Sequence, residues 1–489
     1  MAPHATDDTV TSPSLESTSL ERPKEPVTIN HGGYRSLPVA NPCLSYWHRT
    51  TRAFPYLNHN QDSPVPSQAK YLIIGSGLAG TLTAWSLIER GIPGNEILVL
   101  EAREAVSGAS GRNAGHCRPD AFRGFAAYAR VHGEEQAKKI VENEKLVFEQ
   151  VDAFVKEHQV PCDLNSTTTF DVCLTEEFAA YEKDSLEKYR TAGGDVSHVK
   201  FFEGEEAKSR TKVDGAIAAY EWPAGSVHPA KLTQWMLSRL LDKGVQLFTH
   251  CPATEISKHH PGSDGLRWNI ATPRGIVAAE NVVHCTNAYC AHLLPELAKF
   301  VTPNRAQAHS FVPSASLSGE KALSSTMSLR YSLRQFFSFI QRLGDGTVVF
   351  GTSRENDTWS DDTKNSIVTF DDTAYNEEVA STAEQAFESL FDGGSKIKRH
   401  GEGADNYWSG IIAMTPDSVP MVGPLQGKEG QYICAGFNGH GMARIWTCAP
   451  GVVKLMLGES WSATGLPECF QYGTARLGRA AKHNIKGVW

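Results

Sequence analysis

The sequence contains no apolar run close to the roughly 18 residues that a membrane-spanning helix needs. Its first residues, Met1 to Asp8, also lack the basic stretch and the apolar core of a secretory signal. Lys and Arg number 47 against 55 Asp and Glu, and no basic stripe suited to nucleic acid is present. We therefore expect a cytoplasmic protein whose partners are small molecules, and neither a membrane nor a nucleic acid.

Closely spaced cysteines are missing as well. The ten cysteines are scattered along the chain, whereas disulfide frameworks belong to short secreted domains. The tightest group joins His284, Cys285, Cys290 and His292, and it lacks the C-x2-C spacing that is typical of zinc sites. Because an apolar run precedes this group, we interpret it as the buried end of a strand and predict no metal site.

The length of 489 residues and the hydrophobic content of 40% predict two or three structural units with a sizeable core. Residues 1–67 are rich in Pro, Ser, Thr and Asn, and we expect an N-terminal extension there. Its first 30 residues or so are predicted to be disordered and its aromatic part to dock on the body. Residues 461–489 are predicted to form a C-terminal tail.

A nucleotide-binding pattern opens the ordered part of the chain. The apolar run 69–74 predicts a buried parallel strand, and it leads directly into G-S-G-L-A-G at 75–80. Apolar residues then recur at helical spacing, and a second strand at 96–100 ends at Glu101. Strand, glycines, helix, strand and acid follow one another within about thirty residues, which indicates a dinucleotide site.

Each part of this pattern has a physical reason. Gly75 makes the tight turn, Gly77 lets the backbone approach a pyrophosphate, and Gly80 lets the helix pack closely on the strand. The phosphates then lie at the positive end of a helix dipole. Glu101 can accept hydrogen bonds from a ribose, and its charge disfavours the 2′-phosphate of NADP.

The next segment favours FAD over NAD. Residues 107–115, S-G-A-S-G-R-N-A-G, let the backbone run beside a long cofactor. With G-S-G-x-A-G and E-A-R before it, this segment resembles the D-amino acid oxidase-like family of FAD enzymes, which includes glycine and sarcosine oxidases and γ-glutamylputrescine oxidase. Two later segments are also similar to the family, W-S-G-I-I-A-M-T-P-D at 408–417 and G-F-N-G-H-G-M at 436–442. The resemblance covers about residues 68–458.

The resemblance implies an α/β fold with a Rossmann-type (GR2-like) FAD-binding domain and a second α+β substrate domain built on an antiparallel sheet. The FAD-binding domain is expected to be discontinuous, at 68–125, 215–305 and 405–460. The substrate domain is expected at 126–214 and 306–404. Within it, 133–159 is predicted to be an amphipathic helix. Residues 330–342 and 347–350 are predicted to be two strands joined at Gly344-Asp345-Gly346.

The cofactor-binding residues that the resemblance implies lie in five stretches of the sequence: Gly75, Gly77, Leu78, Ala79 and Gly80; Glu101, Ala102 and Arg103; Ser110, Gly111, Arg112, Asn113, Ala114, Gly115 and His116; Ala253, Thr254, Thr286 and Asn287; Gly410, Gly436, Asn438, Gly439, His440, Gly441 and Met442.

The implied reaction is oxidation of the C–N bond of an amine or amino acid, by hydride transfer to flavin N5 and with O2 as acceptor giving H2O2. The alternative is an FAD-dependent dehydrogenase of a 2-hydroxy acid or polyol phosphate that uses another acceptor. Arg118 is the first candidate to bind a substrate carboxylate, ahead of the arginines at 330, 334 and 342. Arg334 comes next because it precedes an aromatic run.

Two histidines are the other catalytic candidates. His116 falls near the flavin edge by resemblance, where it could be a base, a flavin partner, a covalent anchor or a structural histidine. His440 lies in the loop before a helix whose amino end would face the flavin and stabilise its reduced anionic form. Cys117 is a weaker candidate for a covalent link.

The bound FAD is predicted to be non-covalent, because the residues before Thr415 lack the cysteine that carries the flavin in some members of the family. Acid or heat denaturation of the purified yellow protein should release all of its flavin into the supernatant. The measurement is the absorbance of the supernatant and of the redissolved pellet. Flavin that stays with the pellet would contradict the prediction and direct attention to His116 and Cys117.

Overall fold

The computed structural model describes residues 33–260, 265–352, 356–391 and 398–483. The predicted disorder of the first 30 residues lies outside this part of the chain. The strands that it contains are β1 (Gln68–Ile74), β2 (Ile97–Leu100), β3 (His116–Cys117), β4 (Asn165–Cys173), β5 (Lys200–Glu203), β6 (Ala218–Ser226), β7 (Gln246–Phe248), β8 (Glu255–Lys258), β9 (Trp268–Thr272), β10 (Gly275–His284), β11 (Thr302–Val312), β12 (Thr326–Arg330), β13 (Phe336–Gln341), β14 (Val348–Thr352), β15 (Gly403–Met414), β16 (Met421–Pro424) and β17 (Gln431–Ala435).

The α-helices lie between and after these strands. They are α1 (Tyr46–Arg49), α2 (Leu78–Glu89), α3 (Phe125–His132), α4 (Glu134–Glu157), α5 (Glu176–Thr191), α6 (Gly204–Thr211), α7 (Pro229–Asp242), α8 (Asp361–Asn365), α9 (Glu377–Phe391), α10 (Ile445–Met456), α11 (Trp461–Thr464) and α12 (Thr474–His483). In the part of the chain that the structure describes, none of them combines the length and the apolar character that crossing a membrane requires.

The first sheet has the strand order β16-β17-β10-β1-β2-β7, with β9 on β10 and β8 on β9. The five strands from β17 to β7 are parallel, and β1 pairs with both β10 and β2. Central strands of this kind are buried on both faces, which explains the apolar runs in β1 and β2. The unit β1-α2-β2 confirms the predicted Rossmann-type nucleotide-binding fold.

The second sheet has the order β15-β11-β14-β13-β12-β4-β6-β3, with β5 on β6. Its pairs are antiparallel except for β12 with β4. The hairpin β13-β14 turns at the predicted Asp-Gly step, because Gly346 takes a positive φ of 74° there. The prediction of a continuous strand over 330–342 was wrong, since the chain turns back at 331–335 and separates β12 from β13.

The two sheets divide the chain differently from the predicted segments at three points. Strands β3 and β6 fall within the predicted FAD-binding segments 68–125 and 215–305, and most of β15 falls within the segment 405–460, yet all three pair in the second sheet. Strand β15 runs along β11 over eleven paired positions of that sheet. The second sheet therefore takes strands from the segments predicted for the FAD-binding domain as well as from those predicted for the substrate domain. The domain boundaries given above stay a prediction.

Helices α2, α4, α7 and α10 share the main core, in which α2 and α10 pack against strands of the first sheet, α7 against α2, and α4 against α10. The predicted amphipathic helix at 133–159 is confirmed as α4, whose apolar side carries Val147, Val151 and Val155 into the main core. Aromatic rings of three helices meet there, with the ring of Phe154 lying 4.9 Å from Trp446 and 5.2 Å from Trp85. This core holds the sheet and its helices in a fixed position beneath the cavities described next.

The N-terminal extension is ordered from residue 33 to the start of β1. Trp47 is fully buried and packs edge-on against His228 and Trp408. Tyr46 next to it donates a hydrogen bond to Asp345 in the turn of the β13-β14 hairpin, at 2.7 Å. The aromatic part of the extension is therefore packed against both the body and the second sheet.

Candidate active site

A first cavity opens where β1 ends and α2 begins. Gly75 has a φ of 107°, which favours glycine, and a Cβ at this position would lie 2.8 Å from the Cys285 carbonyl oxygen. A Cβ on Gly80 would lie 1.9 Å from the Gly75 carbonyl oxygen, so only glycine lets the helix start against the strand. The backbone of Gly77, at the N-cap of α2, lines the cavity. These positions explain all three glycines of the pattern.

Glu101 follows β2 and lies in the wall of the same cavity. One carboxylate oxygen accepts hydrogen bonds from the backbone N–H and the hydroxyl of Ser76, at 3.0 and 2.8 Å. The other oxygen accepts from the backbone N–H of Arg103, at 3.0 Å. Three donors thus fix the carboxylate beside the glycine turn, and its remaining lone pairs can accept from a ribose hydroxyl.

A loop formed by residues 106–115 makes the far wall of the first cavity. The hydroxyl of Ser110 accepts a hydrogen bond from the backbone N–H of Leu78, at 2.8 Å, which joins the loop to the start of α2. The buried side chain of Arg112 donates to the carbonyl oxygen of Ser107 in the same loop, at 2.8 Å, and to that of Ser409 in β15, at 3.0 Å. Hydrogen bonds of Ser110 and Arg112 therefore fix the small residues that were predicted to run beside a long cofactor.

Polar atoms without a partner line the first cavity. The hydroxyls of Thr286 and Tyr289 and the Nε2 atom of His292 are buried and have no hydrogen-bond partner in the structure. Buried polar groups of this kind are costly unless a ligand or water satisfies them. A helix amino end, a fixed carboxylate and unpaired donors around one elongated cavity fit the phosphates, ribose and base of a dinucleotide.

A second cavity adjoins the first. The two share Asn113, Ile412, Gly439 and Met442, so they meet at these four residues. Strands of the second sheet supply much of the wall of the second cavity, through Ala306, Met327, Phe336, Ser338 and Gly351. A ligand bound in the second cavity would therefore contact one end of a dinucleotide in the first.

Three arginines in the wall of the second cavity surround one carboxylate, and we call this the arginine cluster. Arg118 donates to Asp171 at 2.6 Å and to the Thr169 hydroxyl at 2.8 Å, Arg123 donates to Asp171 at 2.8 Å, and Arg330 donates to it at 3.3 Å. Burial alone would raise the pKa of Asp171, but the three guanidinium groups hold this pKa well below its usual range. The rings of Trp222 and Phe336 lie against Arg118 and Arg330.

The charge of the arginine cluster is only partly balanced. Asp120 lies 3.8 Å from Arg123, so two carboxylates stand against three guanidinium groups. Glu182 is the third carboxyl nearby, and burial together with Asp171 raises its pKa well above the usual value, which favours its neutral form. With Glu182 in its neutral form, three guanidinium groups face two carboxylates, and the surplus positive charge favours anions in the cavity.

His116 and Cys117 lie in β3, and only His116 lines the second cavity. Burial and the neighbouring Arg118 lower the pKa of His116 to about 3, so its ring is neutral at physiological pH. Neither ring nitrogen has a hydrogen-bond partner in the structure. Burial raises the pKa of the Cys117 thiol, so this thiol stays protonated and is a poor nucleophile.

His440 lines the second cavity and is held from behind by a buried ion pair. Its Nδ1 atom lies 3.3 Å from the Glu144 carboxylate, which accepts from Arg444 at 2.9 Å and from the backbone N–H of Asp120 at 2.8 Å. Burial would raise the pKa of Glu144, but Arg444 and His440 lower it to about 2. Arg444 is fully buried and lies outside the residues that line either cavity.

The structure brings most of the predicted site residues to the two cavities. Those in the wall of the first are Gly75, Gly77, Leu78, Ala79, Glu101, Ala102, Arg103, Ser110, Asn113, Ala253, Thr286, Asn287, Gly439, Gly441 and Met442. Those in the wall of the second are Arg112, Asn113, Ala114, His116, Arg118, Gly439, His440 and Met442.

Other predicted residues lie behind these walls. Asn438, for example, donates to the Gly436 carbonyl oxygen at 2.6 Å, and its own side-chain oxygen accepts from the Thr415 backbone. Arg334 is exposed in the turn between β12 and β13. The predicted residues that line neither cavity are Gly80, Gly111, Gly115, Thr254, Arg334, Gly410, Gly436 and Asn438.

Several residues of the site were not predicted from the sequence. Asp171, Arg123 and Glu182 belong to the arginine cluster, and Leu37 and Pro38 of the N-terminal extension line the first cavity. A local signal exists only for Asp171, a charged residue within the apolar run of β4. The others have no signature, because what they contact lies far away in the sequence.

A dinucleotide cavity that opens onto a second, positively charged cavity under an antiparallel sheet defines the class of flavin-dependent oxidoreductases. The family model described as DAO, FAD dependent oxidoreductase, matches residues 70–455. The chain belongs to this family of FAD-dependent oxidoreductases, and FAD is its cofactor.

Three similar proteins share 20–25% of their residues with the chain in the regions compared. The chain is 20% identical over 421 residues to the probable oxidoreductase OrdL of Haemophilus influenzae, which covers 83% of this chain and 88% of the relative. It is 25% identical over 238 residues to the gamma-glutamylputrescine oxidoreductase of Escherichia coli, which covers 47% and 52%. The crystal structure of L-proline dehydrogenase from P. horikoshii superposes with a TM-score of 0.64 at 20% identity, over 83% of this chain and 97% of that one.

Gly77→Val is expected to abolish FAD retention. A Cβ at this position would already approach the Ser110 hydroxyl to 3.1 Å, and a valine side chain would fill the space where the backbone meets the phosphates. The measurement is the flavin-to-protein absorbance ratio after gel filtration. Gly344→Val is the matched control, since nothing lies within 4 Å of a Cβ at that position. A fully yellow Gly77→Val protein would contradict the assignment of the first cavity.

Proposed function

We propose that the protein oxidises the C–N bond of an amine that carries a carboxylate, either an amino acid or an N-alkylated amino acid, with O2 as electron acceptor and H2O2 as product. The observation that carries the proposal is the arginine cluster in the wall of the cavity beside the cofactor site. Two proteins similar to this chain support the reaction class, since one is named for a glutamylated amine and the other for L-proline.

The arginine cluster would recognise the carboxylate of the substrate. Asp171 takes up only part of the donor capacity, since each of the five N–H groups of a guanidinium can donate. No hydrogen bond is formed by Nη1 of Arg118 or Nη2 of Arg330 in the described structure. A substrate carboxylate at these two atoms would replace water with two charge-assisted hydrogen bonds.

The same charge would help to bind the amine in its reactive form. FAD, when bound, supplies the hydride acceptor for the oxidation of the C–H bond next to nitrogen. An amine of pKa about 10 is neutral in about one molecule in a thousand at pH 7, a cost of about 4 kcal/mol. The surplus positive charge and the burial of the cavity both lower the pKa of a bound amine. The cavity thus favours the neutral amine that hydride transfer requires.

The neutral ring of His116 suits a direct contact with this amine. Because both of its nitrogens lack partners, the ring can accept a hydrogen bond from a neutral amine or donate one to it. A charged histidine here would add to the positive charge of the cluster, and the lowered pKa prevents this. Glu144 holds His440 in the wall of the second cavity, next to Gly439, where the two cavities meet. His440 would therefore help to position the bound substrate.

A cationic polyamine fits the second cavity less well. The positive charge that remains on the arginine cluster would repel a second ammonium group, and the carboxylates nearby are already paired or neutral. A 2-hydroxy acid could use the same carboxylate contacts, so a hydroxy-acid dehydrogenase is the alternative that the experiments below must separate. The two differ in the atom that is oxidised and in the electron acceptor.

The test of the proposed function is anaerobic reduction of the bound flavin. Amino acids and N-methyl amino acids should bleach the flavin absorbance, whereas diamines, 2-hydroxy acids and polyol phosphates should leave it unchanged. Admission of air should then restore the absorbance within seconds and produce one H2O2 per flavin. Bleaching by a hydroxy acid alone, or reoxidation by a dye but not by air, would contradict the proposal.

Arg118→Lys should lower kcat/KM for the carboxylate substrate about a hundredfold, with FAD content unchanged. Lysine keeps the charge but loses the planar fork, and a carboxylate without this fork costs about 2–3 kcal/mol. Arg190→Lys is the matched control, since Arg190 is exposed on α5 and forms a surface ion pair with Glu187 on the same helix. An unchanged kcat/KM in Arg118→Lys would remove this residue as a carboxylate contact and leave Arg330 as the candidate.

A further inference from the structure

The N-terminal strap, residues 33–57, contacts the cofactor site although it lies outside the part of the chain that matches the family model, residues 70–455. Its path is fixed at the start by Tyr34, whose backbone N–H donates to the Ala298 carbonyl oxygen at 2.7 Å. At its end the Leu57 carbonyl oxygen accepts from Ala105 at 2.8 Å. Between these points the strap crosses the outside of the 106–115 loop.

Two residues of the strap line the first cavity directly. Leu37 and Pro38 face it together with Glu101, Arg103 and Ala253. The chain on either side of this pair is anchored to the same wall. Arg35 donates to the carbonyl oxygen of His292, at 3.2 Å, and Arg103 donates to that of Val39, at 3.4 Å. The strap therefore contributes apolar surface to a cavity whose other walls come from the family fold.

Further along, the strap holds the 106–115 loop by three hydrogen bonds to its backbone. The Ser45 hydroxyl donates to the Gly111 carbonyl oxygen at 2.6 Å, and the Trp47 indole N–H donates to that of Asn113 at 2.6 Å. The His48 Nε2 atom lies 3.2 Å from the Val106 carbonyl oxygen. Burial and Arg112 lower the pKa of His48 to about 3, so its ring is neutral.

The fit between strap and loop is close. A Cβ on Gly111 would lie 2.2 Å from the His48 ring, and a Cβ on Gly115 would lie 3.0 Å from the Trp47 ring. The two glycines of the loop that line neither cavity, Gly111 and Gly115, thus lie where the loop meets the strap. The cavity side of the loop is left to Gly108, Ala109, Ser110 and Asn113. The loop consequently lies between the strap on one side and the first cavity on the other.

We propose that the strap is part of the FAD-binding site, in which Leu37 and Pro38 cover the cofactor and Ser45, Trp47 and His48 hold the 106–115 loop in its binding conformation. A loop that is ordered before the cofactor arrives loses less conformational entropy on binding. Loosening the strap should therefore weaken FAD retention while the Rossmann elements stay intact. The proposal depends on the cofactor and not on the substrate proposed above.

The test measures how fast the purified holoenzyme releases FAD after dilution, followed by the rise in flavin fluorescence. Trp47→Phe removes the indole donor and leaves the Asn113 carbonyl oxygen without its buried partner. Ser45→Ala does the same at Gly111 and serves as a second variant. Trp268→Phe is the matched control, since its indole N–H donates to the Glu429 carbonyl oxygen at 2.8 Å and Trp268 lines neither cavity.

We expect FAD release about tenfold faster in Trp47→Phe and in Ser45→Ala, because each loses one buried hydrogen bond to the loop. Trp268→Phe should stay within about twofold of the unchanged protein. In the apoproteins of the two strap variants, the rise in amide hydrogen exchange should be confined to residues 106–113. A global loss of stability would instead raise exchange throughout the protein. Unchanged release in both strap variants, or equal acceleration in Trp268→Phe, would overturn the proposal.

Discussion

The close approach of α2 to β1 is the constraint on which the cofactor site depends. Residue 80 has no side chain, so the helix begins directly against the Gly75 carbonyl oxygen. This contact directs the amino end of α2 at the first cavity, where the Leu78 N–H, which has no partner within the helix, donates to Ser110. The position of the 106–115 loop, and through it the junction of the two cavities, follows from this start of the helix.

Much of this cofactor site could be predicted from the sequence, because its signals are local. A strand, three glycines with separate steric reasons, a helix and a terminal acid occur within about thirty residues, and each part needs only its neighbours to be interpreted. Helix α4 and the hairpin β13-β14 were predicted for the same reason, from a helical apolar pattern and from an Asp-Gly turn.

The second cavity depends on contacts between distant residues, which no local pattern records. Arg118 was predicted from its position after the small-residue segment, but its partner Asp171 lies 53 residues further on. Arg334 was predicted because it precedes an aromatic run, in a segment, 330–342, that was itself predicted to be one strand. The turn at 331–335 leaves Arg330 at the end of β12, against Asp171, and carries Arg334 to the surface. A strand break of five residues thus decided which arginine reaches the cavity.

The arginine cluster also shows that a carboxyl group can affect the net charge beside a cavity without contacting a ligand. Glu182 is fully buried, and this burial together with the charge of Asp171 raises its pKa well above the usual value. If Glu182 were ionised, the positive and negative charges around Arg123 would balance, and the cavity would lose its preference for anions. The protonation state of Glu182 therefore affects how strongly the cavity favours anions.

The burial of Trp47 has a consequence for where a shortened version of the protein can begin. A start at residue 70, where the similarity to the family begins, would remove an indole that packs between Trp408 and His228. Its loss would leave apolar side chains exposed to solvent. Exposed apolar patches of this kind promote aggregation. The family match delimits the shared fold, but the stable unit of this chain begins with the strap that carries Trp47.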